Sequence, residues 1–183
     1  MINEGGIMKY SISLRVVHWV MAALIFGLLV VGFYMSNIEA DAPDKYELYP
    51  IHKSLGFIVL MLFFIRVVTR LRSHIPVPPE GLQSWEVRLS HAVHGLLYIS
   101  MFSMALSGFM MNSTYAYVEG LDMFGLFTVP DITAKSEYWN SIFHTVHETA
   151  AYILVGSLVL HLAGVVKHRF MDASENDVLA RMV

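Results

Sequence analysis

Four stretches of about 20 mostly apolar residues alternate with polar, proline-bearing connections along this chain. They fall at residues 16–35, 52–71, 91–111 and 147–166. At about 1.5 Å of rise per residue, each is long enough to cross the roughly 30 Å of hydrocarbon in a bilayer. A helix satisfies its own backbone hydrogen bonds, which lipid cannot do for it, so the pattern predicts an all-α membrane protein. The expected architecture is a four-transmembrane-helix bundle built as one unit from residues 1–183. The first stretch is too long for the apolar core of a signal peptide, and no small-residue cleavage site follows in Tyr34-Met35-Ser36-Asn37-Ile38, so it is expected to remain in the mature chain. Of the connections, residues 41–50 hold two prolines and several charges, residues 75–81 hold three prolines, and residues 112–140 are numerous enough for a small ordered cap.

Composition sharpens this picture. The chain is 56% hydrophobic and 15% charged, whereas an ordinary soluble domain carries about 25% charged residues. There is no cysteine, which excludes disulfides, thiolate metal sites, iron–sulfur clusters and thioether-linked haem. A net charge of −3 without a clustered basic face leaves no footprint for nucleic acid. Charge also orients the bundle, because cytoplasmic loops retain lysine and arginine. Lys9, Arg15, Arg70, Arg72, Arg88, Lys167, Arg169 and Arg181 belong to the termini and the second connection, against Lys45, Lys53 and Lys135 beside the other two. Both termini are therefore expected in the cytoplasm. The first connection, then external, is acidic, with Glu39, Asp41, Asp44 and Glu47.

Nine histidines in so apolar a chain are the unusual feature. An ionisable side chain within a span is expensive and points by default to a site in the bundle interior. His147 and His161 are 14 residues apart on the fourth span, so they share a face to within roughly 40° and stand about 21 Å apart in depth. His18, on the first span, lies at the depth of His161. His52, on the second, lies at the depth of His147. Two facing imidazoles without a third or fourth ligand suit six-coordinate haem better than tetrahedral zinc, so a noncovalent b-type haem is expected at each level. Gly56, one turn after His52, would let a flat ring approach the backbone, or would simply pack small residues between helices. Arg15, Lys53, Arg66 and Arg70 lie where haem carboxylates would emerge. Arg66 either pairs in the interior or reaches out to the inner surface.

The remaining histidines divide. His94 is at ligand depth and could replace His18 or His161; alternatively, with His168, it could supply hydrogen bonds and protons to a quinone, with Lys167 and Arg169 stabilising negative charge or anchoring to headgroups. His74 and His91 read as interfacial, and His144 as lining a haem edge. Phe63, Phe64, Phe102 and Met104 read as packing or lipid-facing residues.

Val17-His18-Trp19, the run Ile51-His52-Lys53-Ser54-Leu55-Gly56, Gly95-Leu96-Leu97-Tyr98 after His94, and the spacing of His147 from His161 resemble the bacterial dihaem cytochrome b561 family. The likeness covers nearly the whole chain, including Lys167-His168-Arg169-Phe170. It is similar also to the membrane cytochrome b subunits of nickel hydrogenases and formate dehydrogenases. The resemblance implies axial ligation by His18 with His161 and by His52 with His147. It further implies a bacterial inner-membrane location, and electron exchange between a periplasmic partner and membrane ubiquinone. One branch of the family is a superoxide oxidase that reduces quinone. The acidic first connection works against an anionic substrate such as superoxide, although Lys45 and Lys53 can form a local basic patch. A small diffusing carrier and a periplasmic protein stand equally open. Two other functions compete: a membrane subunit serving a separate dehydrogenase or hydrogenase, and a histidine-lined metal transporter. The transporter would want carboxylates near the midplane, and the four spans carry none there.

Overall fold

The computed structural model describes residues 8–39 and 42–183, with the side chains of residues 43 and 44 left aside. Of the acidic first connection, Asp41 and the side chain of Asp44 thus lie outside the described residues. Four long helices account for most of the chain: α1 (Ile12–Asn37), α2 (Pro43–Arg72), α3 (Ser84–Thr114) and α4 (Glu137–Phe170). All four are long and apolar enough to cross a membrane. Each is longer than the apolar stretch it contains. Polar residues at both ends continue the helix, because the i→i−4 ladder carries on wherever capping and propensity allow it beyond the hydrocarbon.

Local chemistry sets the ends. Ser11 accepts from the Leu14 amide at 3.4 Å and caps α1. The Glu86 carboxylate accepts from the Gln83 amide at 2.8 Å and closes the start of α3. In α4, Ser136 accepts from the Trp139 amide at 3.3 Å, while Lys167, His168 and Arg169 occupy the last turn, where the helix dipole favours positive charge. One expectation fails here. Pro50 lies inside α2 and not in the preceding connection. It forfeits a single helical hydrogen bond near the exposed start of the helix, where water can satisfy the orphaned carbonyl.

The connection after α3 forms the expected cap. Strands β1 (Leu121–Met123) and β2 (Phe127–Val129) pair antiparallel, with Leu121 opposite Val129 and Met123 opposite Phe127. Leu121 and Met123 are buried against the bundle, and Asp122 points away. The cap is tied down by Ser54, which donates to the Asp122 carbonyl at 2.9 Å, and by Asn112, which donates to the Gly120 carbonyl at 2.8 Å. Lys135 pairs with Asp131 at 2.6 Å.

At the opposite end of the bundle the two termini meet the α2–α3 connection. Tyr10 donates its amide to the Arg181 carbonyl at 3.0 Å, Arg181 reaches the Val77 carbonyl at 2.6 Å, and the Trp19 indole donates to the Met182 carbonyl at 2.8 Å. The eight cations that the charge pattern groups together thus share one end. Between the two ends lies a buried belt that includes Met21, Ile25 and Leu28 of α1, Val59 of α2, Val93 and Leu97 of α3, and Leu154 of α4.

Candidate functional site

Helix α4 packs closely along α3, and α1 along α2; no comparable backbone packing joins α4 to α1 or α2 among the described residues. Histidine side chains bridge that wider gap at two levels. Near the hairpin end, the His52 and His147 rings are 6.4 Å apart between centroids, with planes at 71°. Near the terminal end, His18 and His161 are also 6.4 Å apart, with planes at 68°. Leu154 lies two turns from each α4 histidine on the same face and is 1% exposed, so it separates the levels with dry apolar material.

The separation is chemically informative. Imidazoles on opposite sides of one metal ion, with bonds of about 2 Å and roughly another 1 Å from nitrogen to ring centre on each side, have centroids about 6 Å apart. Both pairs meet that distance. Imidazoles stacked or hydrogen-bonded to each other directly need no such span.

Around the hairpin-end pair the helices are shaped to the rings. His147 Nδ1 donates to the Met104 carbonyl at 2.7 Å, which fixes the tautomer and leaves Nε2 as a lone-pair donor. A Cβ on Gly108 would stand 3.1 Å from His147 Cε1, and one on Gly32 would stand 3.3 Å from His52 Cε1. Those two glycines, from α3 and α1, keep room for the rings. Spacing along the chain singles out neither of them, nor the Met104 carbonyl. Gly56, which spacing does favour, faces open space: a Cβ there would meet nothing within 4 Å.

At the terminal end three imidazoles gather. His94 lies 5.3 Å from His161 between centroids, and its Nδ1 donates to the Ser90 carbonyl at 2.7 Å. The His94–His161 separation is short for an ion between the rings, whereas that of His18 matches. Arg66 turns inward: Nη2 donates to His18 Nδ1 at 3.2 Å, and its guanidinium lies 5.7 Å from the Tyr98 ring centre. Of the two readings of Arg66, interior pairing holds. Arg70 lies against the same ring, 5.9 Å from its centre. Arg66 Nη1, Arg15 Nε and the Tyr98 hydroxyl are buried without a hydrogen-bond partner among the described residues, as is His52 Nδ1. Unpaired buried donors carrying positive charge suit an anionic group. Lys53 is half-buried and has no ion-pair partner among the described residues.

His168 sits apart from His94, with no hydrogen bond or ring contact between them. Its Nδ1 meets Asp172 at 2.7 Å. Lys167 bridges Glu86 at 2.7 Å and Asp172 at 3.0 Å, and Arg169 pairs with Asp177. Lys167 and Arg169 are thus engaged by carboxylates, holding α3, α4 and the carboxyl-terminal segment together. Both expected uses, toward a quinone or toward headgroups, meet competition from these ion pairs. His168 and Lys167 hold the Asp172 carboxyl below its ordinary value of 3.8. Because the folded value is the lower one, the stabilisation is present above pH 3.8 and is lost as pH falls through the folded value. Melting temperature should therefore drop below about pH 4 more steeply in the wild type than in Asp172→Asn; identical slopes would show that the cluster contributes nothing to stability. His74 and His91 are exposed, in keeping with interfacial positions; His144, one turn before His147, is exposed as well.

Comparison with known proteins now decides the family. The description prokaryotic cytochrome b561 fits residues 9–183. The chain belongs to that family. Cytochrome b561 homolog 2 of Escherichia coli (strain K12) is 26% identical over 175 residues, covering 96% of this chain and 91% of the relative. Cytochrome b561 homolog 1 of the same organism is 24% identical over 136 residues, 72% of each. Membership in the cytochrome b561 family makes this a multi-pass membrane protein and implies b-type haem and electron transfer. The paired imidazoles, the glycine clearances and the unpaired buried guanidinium nitrogens all suit such a group.

Proposed function

We infer that the chain carries electrons across the bacterial inner membrane through two noncovalent b haems, between a periplasmic donor or acceptor and ubiquinone. His52 and His147 would hold one, and His18 and His161 the other. The observation that carries this reading is the pair of 6.4 Å imidazole separations on one face of α4, at two depths. Each bound haem supplies a one-electron iron couple.

The protein's own groups do the rest. His147, locked by Met104, presents Nε2 inward, and the glycines at 32 and 108 clear its level. Arg15 and Arg66 would pair with haem carboxylates; by turning to an anion, Arg66 would also release His18 Nδ1 to carry the proton that a ligating Nε2 requires. Leu154 and the belt around it exclude water between the levels. With both termini cytoplasmic, His94 stands at the edge of the inner level. It is placed to pass protons to a ubiquinone, which takes two protons with its two electrons. His168, bound to Asp172, would exchange protons with water at the same end of the bundle.

Reduced-minus-oxidised spectra of the purified protein, with pyridine haemochrome quantification, test the reading. The expected result is two low-spin b haems per chain, fully extracted by acidified acetone. A ratio near one removes the two-level assignment. Reoxidation of prereduced protein by a soluble ubiquinone analogue tests the inner end: His94→Ala is expected to slow it about tenfold or more, the scale of a lost proton donor. Wild-type rates in both His94→Ala and His168→Ala would remove the quinone site from these residues.

A further inference from the structure

The hairpin presents apolar side chains that the bundle does not use. Leu126 is 81% exposed and Phe127 60%, and Tyr117, in the loop before β1, is 80% exposed. At the tip, Phe124 has φ +57° beside Gly125 at φ +72°. Such a backbone suits glycine or asparagine, so an aromatic residue there is sterically costly for the fold. The turn is nonetheless ordered: Leu126 donates its amide to the Met123 carbonyl at 3.0 Å, and Gly125 donates to Asp122 at 2.9 Å. This is a rigid platform for exposed apolar groups.

Its contacts place it at the hairpin end of the bundle. β1 lies across the interior-facing Ser54 of α2, fully buried, and buries Leu121 and Met123 beneath it. Eleven residues of α2 precede Ser54, so the hairpin sits beside the first turns of α2, with β1 packed on α2 and α3. Tyr138 and Trp139, at the start of α4, are the side chains that suit a membrane interface. Around the platform the charge is negative. Glu39, Glu47, Glu119 and Glu137 are exposed; of the three lysines at this end, Lys135 is paired with Asp131, and the half-buried Lys45 and Lys53 leave the carboxylates in excess.

We propose that the hairpin end of the bundle is the docking surface for a small basic soluble redox protein, with Leu126 and Phe127 at the centre of the contact and the carboxylates as its rim. The proposal rests on electrons entering or leaving at this end, and it specifies the chemistry of the partner that exchanges them. An apolar centre with a charged rim is the anatomy of a protein contact, and transient redox encounters use small ones. A hydrated small ion has no use for exposed leucine and phenylalanine, and anionic headgroups would be repelled by the rim. Ser54, two residues from His52 on the same helix, ties the platform to the end of the bundle that holds the hairpin-end histidine pair.

The test uses the haem-loaded full chain in phosphatidylcholine nanodiscs and a lysine-rich c-type cytochrome as probe, with binding read by biolayer interferometry against empty nanodiscs. Saturable binding is expected, weakened about tenfold between about 20 and 200 mM salt. The Leu126→Ser/Phe127→Ser variant should lose about fivefold or more in affinity with its haem spectrum unchanged, the scale of two apolar contacts at the centre of an interface. Glu119→Gln/Glu137→Gln should flatten the salt dependence independently. Binding equal to that of empty nanodiscs overturns the proposal, as does equal binding of an acidic redox protein of similar size. So does quenching of a Phe127→Trp reporter by brominated lipid, which would assign the platform to the membrane. Because binding is read without electron flow and haem is counted in the same sample, loss of the two-haem reading leaves a separate signature.

Discussion

On the proposed two-haem reading, His147→Ala should purify with one haem in place of two, its reduced α-band falling to about half that of the wild type, because a haem that two imidazoles would hold keeps only one of them. His52→Ala should do the same, and His18→Ala and His161→Ala should each remove the other haem. The levels stand about 21 Å apart along α4, so neither can draw on the other's ligands. Two redox midpoints in the wild type should therefore become one, and the surviving midpoint should differ between the two classes of variant. The terminal level holds the sharper contest, since His161 has both His18 at 6.4 Å and His94 at 5.3 Å. Loss of the terminal-end haem in His94→Ala, with retention in His18→Ala, would transfer the ligand to α3. The measurement is pyridine haemochrome analysis with a redox titration of each purified variant.

What can be read from the chain follows from how each feature is encoded. A histidine in an apolar helix has a depth fixed by counting residues, and His147 and His161 share a face by helical periodicity alone, so the ladder needs no tertiary information. The clearance for its rings does. Gly108 meets His147, and Gly32 meets His52, only through the rotation of α3 against α4 and of α1 against α2, which no spacing within one helix specifies. At Gly56, the glycine that spacing favours, a Cβ would meet nothing within 4 Å, so it does not pack small residues between helices. The inward turn of Arg66 is likewise open in the sequence, since its stem can follow either route; the buried imidazole of His18 and the face of Tyr98 draw it in. Length alone suggests a cap at residues 112–140. Its hairpin depends on a turn built on Phe124, where no local preference for positive φ exists. Pro50 misleads because a proline in a polar segment reads as a break, although near a helix start it forfeits only one bond.

Gly108→Val is expected to empty the hairpin-end level without touching a ligand. A Cβ there already stands 3.1 Å from His147 Cε1 and 3.2 Å from Nδ1, and the two further carbons of valine extend into the ring. The ring cannot simply retreat. Its Nδ1 is held by the carbonyl of Met104, one turn earlier on the same helix as Gly108, so clearing the new methyls breaks a 2.7 Å hydrogen bond and turns Nε2 away from His52. Leaving that nitrogen buried and unpaired costs about 1–3 kcal/mol, and refusing the move costs a similar overpacking strain. Either route spends what ligation would return. Gly32→Val should act on His52 in the same direction and more weakly, with its first clearance at 3.3 Å. The readout is haem per chain together with the midpoint of the remaining haem. Full occupancy in Gly108→Val would mean that His147 has freedom its hydrogen bond denies, and that the glycine is a packing convenience between α3 and α4.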